Sequence, residues 1–160
     1  MPTAQTFRED LIDRFRARLA EIQTANEFFT NAGAHLYIDE VPTLGPDDPP
    51  DAIVLLVGDD TVRYSENEKT LIELPIDISA IVRVDVADGW RTREWILADI
   101  KKAIELQDRT LGGLLGSSQK NLKRSTTRSM RREVGSTVMG TTVRYLVTYG
   151  EPWGGHVPQP

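Results

Sequence analysis

Cysteine is absent from the chain, which excludes disulfides, thiolate metal sites and a cysteine nucleophile. Long apolar runs are missing too: the longest, Ala52 to Val57, has six residues, against the roughly 20 that a membrane-spanning helix needs. The first fifteen residues carry Arg8, Glu9, Asp10, Asp13 and Arg14 and no apolar signal core, so nothing there marks the chain for export. Histidine is scarce. His35 and His156 lie far apart, and no H-E-x-x-H pair exists to hold a metal. A phosphate-binding G-x-x-x-x-G-K-[ST] loop and a G-x-S-x-G nucleophile turn are both lacking. Among the carboxylates, Asp59, Glu73 and Asp77 around Arg83 come nearest to a metal-dependent nuclease. Glu73 and Asp77, however, stand about 13 Å apart along one strand, too far to chelate one ion. The expectation is a chain with no cofactor, no metal and no catalytic group.

What is present suits a globular fold: 39% of the 160 residues are hydrophobic and 27% charged, a balance able to bury a real core. The simplest division is one domain over 1–150, followed by a Pro- and Gly-rich tail over 151–160 in which Trp153 can pin a neighbour.

Thr6 and Glu9 form a T-x-x-E capping box, and Phe7, Leu11, Phe15, Leu19 and Ile22 recur at helical spacing behind it. A short strand follows in AHLYIDEV, where Leu36 and Ile38 alternate with polar neighbours. The stretch from Val41 to Asp51 holds four prolines and is read as a loop. Ala52 to Val57 reads as a strand buried on both faces. Residues 59–70 are polar enough for a hairpin connection or a mobile excursion. From Ile72 to Val86 the even positions are all apolar, the strongest strand signal in the chain, with a break or bulge expected near Pro75. The next helix is expected to begin near a capping Thr92, with Ile96, Ile100, Ala103, Ile104 and Gln107 on one face, and to end before TLGGLLG, whose Gly112 and Gly113 permit positive φ. Val138 to Tyr149 supplies a closing strand. The expected class is α+β: a mixed, mainly antiparallel sheet packed by an N-terminal and a central helix.

Charge is distributed unevenly. Residues 39–88 hold thirteen acidic groups against Arg63, Lys69 and Arg83. Residues 117–133 hold Lys120, Lys123, Arg124, Arg128, Arg131 and Arg132 against Glu133 alone. Because SSQKNLKRSTTRSMRRE has no apolar period, it is read as an extended basic loop, mobile in a free subunit and ordered by a partner. One chain carrying both signs invites association in which the basic segment of one copy meets the acidic surface of the next. The candidate interface residues are the six cations, Glu73 and Asp77 on the polar strand face, and Trp153.

The capped helix FREDLIDRFRARLAEI, the passage EFFTNAGAHLYIDEV, the strand IDISAIVRVDV, the helix end QDRTLGGLLG and the closing strand TTVRYLVTYG together resemble the tail terminators of long-tailed phages, the minor tail protein U family. Neck and head-completion proteins are similar at this level. The resemblance implies a structural virion protein, not an enzyme and without a cofactor. Its copies would form a ring, usually of six, on the head-proximal end of the tail tube. The ring would stop tube polymerisation and receive the neck or connector protein, with DNA passing through its lumen and no membrane involved. A nucleic-acid-binding or nuclease module is the alternative of a different class.

Overall fold

The computed structural model describes residues 6–66, 69–116, 121–130 and 134–152. Helix α1 spans Phe7–Ala20, and the capping box forms as read: Thr6 Oγ1 accepts from the Glu9 amide at 3.1 Å, and the Glu9 carboxylate accepts from the Thr6 amide at 2.7 Å. Its apolar stripe is buried, with Leu11, Phe15, Leu19 and Ile22 fully so, and Phe7 stacks on Tyr149 at 4.4 Å. After two short 3-10 turns the chain enters β1 (Leu36–Ile38), β2 (Asp51–Val57), β3 (Thr61–Glu66) and β4 (Lys69–Arg83). Helix α2 (Gly89–Lys101), β5 (Leu122–Ser129) and β6 (Val138–Pro152) complete it. The strands form one six-stranded sheet in the order β1-β2-β4-β6-β5, with β3 also on β4. Only β1 and β2 are parallel; every other pair is antiparallel. The class is α+β, as the element pattern implies.

β4 is the axis of this sheet. All of its fifteen residues pair with β6. On its other edge β3 covers Lys69 to Glu73 and β2 covers Ile76 to Val82 in succession. No break occurs at Pro75. The Pro75 carbonyl accepts from the Gly58 amide at 2.9 Å. A strand residue turns its N and its C=O to the same side, so the missing N–H falls in the gap between β2 and β3 and costs no bond to β6.

The even-numbered side chains from Ile72 to Val82 meet Val143, Tyr145, Val147, both helices, Leu111 and Leu115 in the main core. The opposite face carries a smaller cluster of Leu44, Ala52, Val54 and Ile81. Ile81 breaks the in-and-out alternation because the proline-rich loop folds over it. Arg83 holds that loop down, its Nη1 donating to the carbonyls of Gly45, Pro46 and Asp48 at 3.1, 2.7 and 2.7 Å. β2 is accordingly buried on both faces.

Four local expectations are corrected. α2 starts at Gly89 rather than Thr92, behind Asp88 at φ 53 and with no side-chain cap. Its stripe Ile96, Ile100, Ala103 and Ile104 is buried, but Gln107 is exposed, beyond a π-helical turn at Lys102–Leu106, where it bonds Glu21. Residues 59–70 are largely strand, because β3 forms a hairpin with β4. The middle of the basic segment is likewise a strand, β5, and not a loop. Leu122 seeds it by entering the main core, and the β6 ladder supplies backbone bonds that need no apolar period. The TLGG turn adopts positive φ at Gly112 and Gly113, 71° and 85°, and also at Leu111, 54°. That last strain is offset by burying Leu111.

Asp99 is fully buried on α2 and ties down the segment after α1. Its carboxylate accepts from the Phe29 amide at 3.0 Å and from the Thr30 amide and hydroxyl at 2.9 and 2.8 Å. Asp99→Ala leaves these donors unsatisfied and is expected to lower stability by about 3 kcal/mol, measured by urea unfolding. A loss below about 0.5 kcal/mol, the scale of surface substitutions, would contradict the role.

Candidate interaction surface

Both helices pack on one face of the sheet, and the proline-rich loop covers only part of the other. The rest of that second face is set by side-chain alternation. From β4 it takes Glu73, Asp77 and Ser79, from β6 Thr142 and Arg144, and from β5 Lys123 and Arg128, which share rows with Leu146 and Thr142. Arg144 grips Asp77 through two bonds of 2.7 Å, Nε to Oδ1 and Nη2 to Oδ2. Arg128 approaches the same carboxylate at 3.9 Å. The Asp77 hydrogen bonds hold the Arg144 guanidinium above its ordinary range. Ser79 and Thr142 share a hydrogen bond of 2.7 Å, and Glu73 pairs with Arg63. Beside this ladder lies a depression of about 370 Å³, floored by Val54, Leu56 and Ile81 and rimmed by Arg128, Ser129 and Met130.

Glu73 and Asp77 are thus neutralised within the chain by different arginines, and the structure does not bring them together. Among the described residues no group of three carboxylates or histidines could hold a metal. Arg124 sits on the helix side, its Nε 3.3 Å from Glu105, whose carboxylate also accepts from the Tyr145 hydroxyl at 2.9 Å. Lys123 is exposed and has no ion-pair partner among the described residues. Lys120, Arg131, Arg132 and Trp153 lie outside the described residues.

β5 ends the sheet, and no described strand pairs with its outer edge. The Met130 amide donates to Gly140 at 2.9 Å. By antiparallel alternation Arg128 therefore also bonds towards β6, while Thr127 and Ser129 turn their N–H and C=O outwards. A bulge between Arg124 and Thr126 bends the strand. The opposite end of the sheet is acidic. Because β1 and β2 run parallel, the residues after them, Asp39 with Glu40 and Asp59 with Asp60, gather at one corner, all four exposed. The Val57 amide donates to Asp39 Oδ1 at 3.3 Å and links the two segments. This corner escapes sequence reading because only the parallel pairing joins stretches so far apart. No protein-family model matches the chain, and comparison with curated proteins finds no match.

Burial, and then the bond to the Glu105 carboxylate, hold the Tyr145 phenol well above its ordinary value of 10. In the folded chain this group keeps its proton at a pH where the unfolded chain loses it. Stability is therefore fully present below pH 10 and falls as pH rises above it, by up to about 1.4 kcal/mol per pH unit for one such group. Urea unfolding from pH 9 to about 11.5 should show the decline, and Tyr145→Phe should reduce its slope. An unchanged slope would contradict the assignment.

Proposed function

We propose that the chain is the subunit of a ring that terminates the tail tube of a long-tailed phage and presents a surface to the neck. Its localisation is then the virion, and its role is structural. The motif resemblance supports this reading, and one structural observation carries it: the sheet ends in two unlike edges, a basic strand and an acidic corner. Unlike edges favour head-to-tail contacts, and such contacts close into rings when the rotation between neighbours divides a full turn. No helix among the described residues is long and apolar enough to cross a membrane. Passing DNA would meet the lumen side of such a ring, and the tail tube and connector proteins would meet its two rims.

The experiment is native mass spectrometry of the pure protein with and without tail-tube protein, joined to electron microscopy of tubes grown in its presence. A discrete assembly of about six copies, the commonest closed ring this resemblance implies, and tubes of arrested length are expected. A strictly monomeric protein that leaves tube growth unchanged would overturn the proposal.

A further inference from the structure

The two unlike edges lie at matching heights, and this decides which residues can meet in a closed ring. Lys123 shares a row with Leu146, and Leu146 with Pro75. Pro75 is bonded to Gly58, the residue before Asp59. Arg128 shares a row with Thr142, Ser79, Val54 and Tyr37, two residues before Asp39. The two cations of β5 and the four carboxylates of the corner therefore occupy the same band of the sheet, Asp59 and Asp60 three strand spacings from β5 and Asp39 and Glu40 four, about 14 and 19 Å at about 4.8 Å each. Rotation about an axis parallel to the strands, with no rise along it, would carry the basic edge of one copy onto the acidic corner of the next. Such an operation closes, whereas a difference in height would have produced an open helix.

We propose that the β5 edge of one copy docks on the corner formed by Asp39, Glu40, Asp59 and Asp60 of a second copy, with Lys123 and Arg128 facing the carboxylates. The inference rests on the ring reading and names its contact. Glu73 and Asp77 are not the acceptors, because Arg63 and Arg144 already occupy them; Arg128 reaches Asp77 only at 3.9 Å, and its side chain, 67% exposed, can turn to a partner. Arg124 is held on the other face by Glu105. The outward amides of Thr127 and Ser129 add donors along the same edge, so a carboxylate arriving there finds hydrogen bonds as well as charge. The bulge and the cations also disfavour pairing of the edge with a copy of itself, since like charges would be juxtaposed strand against strand.

Two charge-reversed proteins test this. One carries Lys123→Glu and Arg128→Glu, and is acidic at both edges. The other carries Glu40→Lys, Asp59→Lys and Asp60→Lys, sparing Asp39, which holds the Val57 amide, and is basic at both. Each alone should lose self-association, with the dissociation constant raised at least about tenfold. An equimolar mixture should recover assemblies in which the two alternate, seen as even-numbered species in native mass spectrometry. Circular dichroism and melting curves verify that each variant is folded, which is expected because the five positions are exposed. If the wild type assembles and either folded variant assembles equally well, the docking surface is wrong and the ring reading stands. A wild type that fails to assemble with tail-tube protein sinks the ring reading itself. Should the β5 variant lose affinity for duplex DNA in a filter-binding assay while assembling normally, the edge serves phosphate and the proposal fails. Recovery of assembly in the mixture alone establishes that basic edge and acidic corner touch each other.

Discussion

β4 is bonded along its whole length, to β6 on one side and to β3 and β2 in turn on the other, and every other element takes its position from that ladder. A strand paired on both sides satisfies its own backbone and has only its side chains left to place. Its even-numbered residues from Ile72 to Val82 are apolar and draw α1, α2 and the TLGG turn onto one face. Its odd-numbered residues are mostly polar and leave the other face to ion pairs and one loop. Pro75 survives at the centre of this strand only because its nitrogen points into the gap where one neighbour ends and the next begins.

The same ladder determines what the surface can do. Because β1 to β5 are ordered across it without the two outermost strands meeting, the sheet keeps two ends of opposite charge. The acidic corner depends on β1 lying parallel to β2, which brings the residues after both strands to one place. The basic end depends on β6, whose ladder organises a segment with too few apolar groups to fold alone. Within the chain the carboxylates on the open face are already matched, Asp77 by Arg144 and Glu73 by Arg63. The charges left for a partner are those at the two edges.

Much of this was legible from residue order. The capping box of α1, the stripe from Leu11 to Ile22, the doubly buried β2 and the alternation of β4 all follow from local periodicity, and each is found. The failures among the strands share one cause, since they concern segments ordered by a partner strand and not by a pattern of their own. Leu122 to Ser129 reads as a mobile loop because its order comes from β6 and not from its own pattern. Thr61 to Glu66 reads as a hairpin connection or a mobile excursion and not as a strand, because β4 supplies its bonds. Asp99 looks like an ordinary polar helix residue until the turn at Phe29 and Thr30 is seen wrapped around it. Of the interface candidates, Arg124, Glu73 and Asp77 could not be discounted from sequence, since their counter-charges on Glu105, Arg63 and Arg144 become neighbours only through the fold.

The central claim is that β5 is a formed strand in the isolated subunit whose outer edge is completed by a second copy. Amide hydrogen exchange resolved residue by residue, on free subunit and on assembly, tests it most directly. The amides of Arg128 and Met130, which point at β6, should be protected in both states. Those of Thr127 and Ser129, which point outwards, should exchange rapidly in the subunit and slowly in the assembly. Rapid exchange at Arg128 and Met130 in the subunit, or equal exchange at Thr127 and Ser129 in both states, would contradict the account.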